Sequence, residues 1–282
     1  MIRRLLVMAA LGMAALPAAL HAQDYTPTAP LPLGDTLLSL PSSQIPSVGT
    51  WEVKFTHRFN ESVDDGGFHS LFGLDSSADV TFGASFSIRR DLQVTILRSN
   101  TNDTIETAAK FVVLRQAPSM PISIALRGGL DLRTEENLGD RTSVFAQAIL
   151  SRQFGRRAEI SILPTYVTNA GRAVAGDESV ALFDGAFNVP IGIAIMIRPP
   201  LAIVAELIPP NQDLPDNMKA DLGWAIGLKR NVGGHWFEIL LTNSNSTLTD
   251  QPLTSTFQGT PLDANELHLG FNIERRFGRR RR

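Results

Sequence analysis

The fold the sequence predicts is all-β: a closed antiparallel up-and-down transmembrane β-barrel of about twelve strands. Three features predict it. From residue 50 onward, apolar and polar residues alternate with period two. No segment of helical periodicity stands ready to cover the apolar face so created. The connections alternate between short and long, so the two kinds gather at opposite rims of one sheet. A sheet that is greasy on one face, polar on the other and bare of helices is satisfied by closing up in hydrocarbon, which leaves no unpaired edge.

The strands are expected near 50–60, 78–89, 91–99, 104–116, 120–132, 141–153, 156–168, 181–197, 200–208, 218–230, 234–243 and 266–277. The first, "WEVKFTHRF" at 51–59, sets Trp51, Val53, Phe55, His57 and Phe59 against Glu52, Lys54, Thr56 and Arg58. The second sets Val80, Phe82, Ala84 and Phe86 against Asp79, Thr81, Gly83 and Ser85. In the eighth, Phe183, Phe187, Ile191, Ile193, Ile195 and Ile197 face away from Asp184, Ala186, Asn188 and Gly192. The tenth sets Leu222, Trp224, Ile226 and Leu228 against Lys219, Asp221, Gly223, Ala225 and Lys229. The last sets Leu269, Phe271 and Ile273 against His268, Gly270, Asn272 and Glu274. Strand-end aromatics Trp51, Phe59, Tyr166, Trp224 and Phe277 fit interfacial girdles. Two strands fit the alternation poorly: 141–153 carries Phe145 and Ile149 on its polar side, and 200–208 is apolar except at Glu206. Either a plug meets those faces inside the barrel or the register there differs.

Outside the barrel, assigned to 49–278, three segments read differently. Residues 1–22 combine Arg3 and Arg4 with the apolar run "LLVMAALGMAALPAAL" and a small residue before Gln23, the pattern of a secretory signal peptide. Residues 23–48 form a Pro-rich arm with Pro27, Pro30, Pro32, Pro41 and Pro46, too many to sustain a helix or ladder. This arm is a linker, a plug or a loose attachment. Residues 279–282 are a basic tail.

Composition narrows the chemistry. The 282 residues carry 26 Lys and Arg against 28 Asp and Glu, and losing Arg3 and Arg4 makes the balance more acidic, which excludes a nucleic-acid partner. The absence of cysteine removes disulfides, thiolate metal sites and cysteine catalysis. His57, His69, His235 and His268 lack ligand spacing, so no metal or other cofactor is expected.

Several segments resemble a bacterial family of unknown function described as a membrane-bound β-barrel domain. They are "THRFN" at 56–60, "FGLDSSADVTFGASFSI" at 72–88, "LQVTILRSN" at 92–100, "TIETAAKFVVLRQ" at 104–116, "VAELIP" at 204–209, "GGHWFEILLTNS" at 233–244 and "LHLGFNIERRFG" at 267–278. The resemblance implies the barrel fold and an outer-membrane address, with outer-membrane lipid and the barrel-insertion machinery as partners. It implies no catalytic residues. Phe277 is followed by "GRRRR" where such barrels usually end.

Parity selects the polar residues expected to line the lumen: Arg58, Asp79, Glu106, Lys110, Arg127, Glu206, Lys219, Asp221, Glu238 and Glu274, joined by Glu52, Lys54, Asp131, Glu159 and Lys229. They form either a charged eyelet for small solutes or a paired network that fills a narrow lumen. The functional expectation is a small-solute pore barrel or a structural scaffold, with no enzymatic activity. One alternative is a soluble secreted or periplasmic barrel holding an apolar ligand, with the isoleucine set turned inward. Another is a rim hydrolase using outward His57, although no Ser is obviously placed beside it and no G-x-S-x-G elbow occurs. The loop containing "FHSLFGLD" either enters the lumen or packs on its own rim.

Overall fold

A computed structural model describes residues 31, 33–135, 141–175, 178–211, 219, 221–250, 256–257 and 260–278. The expected signal peptide, residues 23–30 of the arm and the basic tail lie outside the described residues.

Among the described residues, sixteen strand segments follow in order: β1 (Trp51–Phe59), β2 (Ala78–Ser87), β3 (Leu92–Ser99), β4 (Thr104–Leu114), β5 (Ser123–Arg133), β6 (Thr142–Phe154), β7 (Ala158–Ile162), β8 (Thr165–Ala175), β9 (Glu178–Asn188), β10 (Ile191–Arg198), β11 (Leu201–Ile208), β12 (Gly223–Val232), β13 (His235–Thr242), β14 (Thr256–Phe257), β15 (Thr260–Pro261) and β16 (His268–Phe277). All but β14 and β15 belong to one antiparallel sheet. It closes because β1 pairs with β2 on one side and with β16 on the other. Segments β7 and β8 are two halves of one strand, interrupted between them, and so are β9 and β10. The barrel therefore has twelve strands.

The breaks in those two strands share a cause. Pro164 and Pro190 have no N–H to give to a ladder. Leu163 N donates to Pro190 O at 2.9 Å, and Ala148 N donates to Pro164 O at 2.9 Å. The ladder resumes beyond the interruption in unchanged register, Ile162 opposite Ile191 and Thr165 opposite Asn188.

The alternation has the physical meaning the sequence predicts. Ile239 is 68% exposed on the outside, while its neighbour Glu238 is 2% exposed on the inside. Ile193, Ile195 and Ile197 point outward, as do Phe82, Phe187 and Phe237. An apolar outer surface of this extent calls for hydrocarbon. It also overturns the soluble-carrier alternative, which needs the isoleucines inside.

Three expectations require correction. Residues 169–180, read as a long loop, are mostly strand: β8 runs to Ala175 and β9 begins at Glu178. Small and turn-prone residues there imitate a loop. Phe183, placed on the lipid face, is buried, and Asp184 is exposed. Between the Thr168–Gly185 and Ala170–Phe183 pairs stands Asn169 with φ 47°, a left-handed residue at which the in–out alternation turns over. Finally, β12 begins at Gly223, so Lys219 and Asp221 precede it and are exposed instead of lining the lumen.

One rim carries the connections 88–91, 115–122, 155–157, 199–200 and 233–234, together with the start of β1 and the end of β16. This is the tight-turn rim. The other, the long-loop rim, carries 60–77, 209–222 and 243–267. The 60–77 connection holds a one-turn helix, α1 (Val63–Gly66), and leaves Phe68, Leu71, Phe72 and Leu74 exposed, so this loop stays at its rim and out of the lumen.

Candidate functional site

The lumen is the candidate site, and the protein's own chain occupies it. Residues 33–46 run inside the cylinder from the tight-turn rim. Leu31 N donates to Gln153 Oε1 at 3.2 Å near that rim. The segment folds back on itself at a Thr36–Pro41 bridge, then returns to the rim, where Ser47, Val48 and Gly49 are exposed ahead of β1.

Two kinds of contact seat this arm. The first is apolar. Leu31, Leu33, Leu37, Leu38 and Leu40 are buried against inward residues Val112, Ala125, Ile149, Ala194, Val204 and Leu240. Burying a leucine contributes roughly 1.5–3 kcal/mol. This accounts for the two strands that fit the alternation poorly: Ile149 of β6 and Val204 of β11 face leucines of the arm, not water. Gly192 of β10 makes room for one of them, because a Cβ there would lie 2.2 Å from Leu37 Cδ1. Phe145 also points inward, in a second cluster with Val167, Ala170 and Phe183.

The second kind is ionic. Glu206 on β11 accepts the N–H groups of Leu38, Ser39 and Leu40 through Oε1 at 2.7, 2.9 and 2.9 Å. Three successive amides turned toward one carboxylate form an anion-binding concavity, and each such bond to a charged group contributes roughly 1.5–3 kcal/mol. Lys229 on β12 donates to the carbonyls of Thr36 at 2.7 Å and Leu37 at 3.0 Å, and pairs with Glu238. Glu274 on β16 accepts from Thr36 Oγ1 at 2.5 Å. Lys110 on β4 meets Asp35 at 2.6 Å and the Ser42 carbonyl at 3.1 Å. On β1, Glu52 accepts from Asp35 N at 3.0 Å and pairs with Arg276 at 2.9 Å, and Lys54 lies 3.4 Å from Thr36 Oγ1. Arg58 donates to Asn272 Oδ1 at 2.7 Å and Ser39 Oγ at 3.3 Å, and Asn272 donates to Leu38 O at 2.8 Å and to Glu238.

A second, higher layer enters the lumen from the long-loop rim. Residues 243–250 of the β13–β16 connection turn inward, and Asn243, Ser244, Asn245, Ser246, Leu248 and Asp250 are buried. Asp250 pairs with Arg133, which is fully buried on β5. Glu106 pairs with Arg127 and accepts from Thr249 N at 2.8 Å, while Arg127 donates to Thr249 Oγ1 at 2.9 Å and lies over the Phe145 ring at 4.6 Å. Asp79 accepts from Thr101 Oγ1 at 2.9 Å, and Asp131 is buried between Arg127 and Arg133 on the same strand face.

Arm and loop together leave a chamber of about 60 Å³ between them, bordered by Asp35, Lys110, Arg127 and Thr249. A larger vestibule of about 380 Å³ opens beside the arm at the tight-turn rim, where Glu159, Gln44, Gln116, Gln153 and Ser151 meet.

Of the ten expected lumen residues, eight point inward: Arg58, Asp79, Glu106, Lys110, Arg127, Glu206, Glu238 and Glu274. Lys219 and Asp221 do not. The sequence reading missed the groups these residues bind: Asp35, Thr36 and Ser39 on the arm, and Thr249 and Asp250 on the loop. Five leucines within ten residues of a supposed linker were the available signal.

His57 points outward and stacks on Phe271 at 4.9 Å, with Phe59 at 4.5 Å. Its partners across the ladder are Phe271 and Val80, neither a serine. His268 points inward, its Nδ1 3.1 Å from Phe59 O.

The profile of a family described as "Membrane bound beta barrel domain (DUF5777)" matches residues 34–277. A search of curated protein sequences finds no match. Among solved structures, the NanC porin superposes with a TM-score of 0.50 at 10% identity, covering 81% of this chain and 99% of that one. Omp33 of Acinetobacter baumannii gives 0.42 at 10% identity, covering 81% and 98%. Outer membrane phospholipase A of Escherichia coli gives 0.41 at 10% identity, covering 81% and 90%. At such identities the likeness is one of fold.

Proposed function

The chain belongs to the family of membrane-bound β-barrel domains, and from that premise we propose that it is a small-solute barrel of the outer membrane held shut at rest by its own N-terminal arm. One observation carries the reading: the arm is held by ionisable wall residues that grip its backbone. Glu206, Lys229, Glu52 and Lys110 satisfy peptide groups of a segment that pairs with no barrel strand among the described residues. Withdrawing the arm breaks no pair of the barrel ladder. It would leave a lumen ringed by carboxylates, ammonium groups and a guanidinium, the lining that selects small polar solutes. The arm joins β1 through the exposed turn at 47–49, where Gly49 holds φ 78° and its N–H is tied to Ser87 O at 2.8 Å, so a hinge for the arm lies just ahead of that bond.

A scaffold that never opens is the second reading. The apolar inner patch formed by Ala125, Ile149, Val204 and Leu240 favours it, because withdrawal of the arm would wet that patch. Planar-bilayer recording separates the two. The full chain is expected to be nearly silent, and a chain lacking residues 31–46 to show stable steps of current. A deletion variant that migrates as a folded, heat-modifiable barrel yet stays silent would retire the pore and leave the scaffold.

A further inference from the structure

The charges at the two rims lean to opposite signs. The tight-turn rim carries Arg89, Arg90, Arg115, Arg156, Arg157 and Arg198 in or beside its turns. Arg152, Arg230 and Arg275 stand at the strand ends just above. Among the described residues of these turns the acid is Asp91, which pairs with Arg89 at 2.9 Å. None of the other arginines just named has a carboxylate within 4.0 Å among the described residues. The long-loop rim leans the other way: Asp64, Asp65, Asp75, Asp221, Asp263 and Glu266 are exposed there, against exposed Arg141 and Lys219.

The direction of the strand-end arginines indicates what they meet. On β12, Arg230 continues the outward row of Ile226 and Leu228 and stands opposite outward Phe237. On β16, Arg275 continues the row of Phe271 and Ile273, with its guanidinium 4.6 Å from the Phe277 ring. On β6, Arg152 lies 5.2 Å from the Phe154 ring. These arginines leave the lumen mouth and follow the lower edge of the apolar band, beside aromatic rings of the kind that sit at a membrane interface. They are spread around the circumference, whereas a soluble acidic partner would need a patch on one side.

We propose that the tight-turn rim is a collar that binds the phosphate head groups of anionic phospholipids in the adjoining leaflet. The guanidinium fork matches phosphate oxygens in two parallel hydrogen bonds. The head groups supply the counter-charge for arginines that no carboxylate among the described residues neutralises. The acidic long-loop rim repels the same head groups, so the pair of rims biases which way the barrel stands among asymmetric lipids.

The test uses the full chain refolded in neutral detergent and titrated with phosphatidylglycerol, phosphatidylcholine or soluble polyglutamate, with bound molecules counted by native mass spectrometry. Phosphatidylglycerol is expected to bind in several copies, to outlast phosphatidylcholine and to be shed in high salt. In a variant combining Arg156→Gln, Arg157→Gln, Arg230→Gln and Arg275→Gln its affinity is expected to fall roughly fivefold for each arginine removed. The wild-type comparison of the two lipids stands even if that variant does not fold. Equal binding of the two lipids overturns the collar, and so does a folded variant that binds phosphatidylglycerol as the wild type does. Polyglutamate binding with no preference between the lipids would assign the arginines to a soluble acidic polymer instead.

Discussion

The arm and the inturned loop fill the same cylinder by different means. The arm, residues 33–46, brings leucines to the apolar wall between β4 and β13, peptide groups to charges on β1, β4, β11 and β12, and the Thr36 hydroxyl to Glu274 on β16. The loop, residues 243–250, is made almost wholly of Asn, Ser and Thr, with Leu248 its one apolar side chain. Beyond its root at Asn243, which bonds Trp224 and Leu222, it is tied at one side, to Asn60 beside β1, to Thr81 on β2 and to Glu106, Arg127 and Arg133 on β4 and β5. The arm therefore has the anchorage of a seal, the loop that of a cap. A seal anchored all round should leave as a unit or not at all, whereas a cap tied at one side can lift while the seal stays.

Lys229→Met should break this contrast most strongly. Lys229 faces Glu238 and Glu274 and holds two carbonyls of the arm, so its loss strands two buried carboxylates. Removing one partner of a buried ion pair costs about 3–5 kcal/mol. We expect the heat-modifiable gel shift to move to clearly lower temperature and a cysteine placed by Ser39→Cys to become reactive to maleimide. A variant with wild-type thermal behaviour and a protected Cys would mean that the arm does not depend on this charge.

Gly192→Val sharpens the comparison without touching a charge. The new side chain would occupy the space of Leu37, and overfilling a packed site costs roughly 1–3 kcal/mol. Valine suits a strand, so the barrel wall should persist while the arm is dislodged. The expected signature is raised bilayer conductance and labelling at position 39, with no labelling at a loop cysteine introduced by Ser246→Cys. Labelling at both positions would show that arm and loop leave together.

How much of this was legible in the sequence follows from what each residue faces. The barrel could be read because water-like and oil-like surroundings alternate along each strand, and β1, β12 and β16 carry that alternation cleanly. It failed where protein replaced water inside. Ile149 and Val204 broke the pattern because leucines of the arm lie opposite them. It failed again where a backbone feature reset the pleat, at Asn169. The wall half of the site was visible as charges of inward parity. The arm half was not, because five prolines argued against regular structure while saying nothing about position, and the arm uses none. Lys219 and Asp221 were misplaced because alternation continued past the true start of β12.

Thr249→Val carries the smallest expected effect and tests the other side of the contrast. Thr249 Oγ1 accepts one bond from Arg127, and its backbone N–H, which the substitution keeps, still reaches Glu106. Arg127 also keeps Glu106 as its ion partner. The loss is one hydroxyl acceptor for a guanidinium, about 1 kcal/mol or somewhat more. Such a change should loosen the loop, seen as faster amide exchange at 244–250 with exchange at 36–40 unchanged. Conductance should stay near zero, because the arm alone still fills the cylinder at the level of Glu206 and Lys229. If this variant conducts, the cap does the sealing, and the division of labour between arm and loop is the reverse of the one drawn from their anchorage.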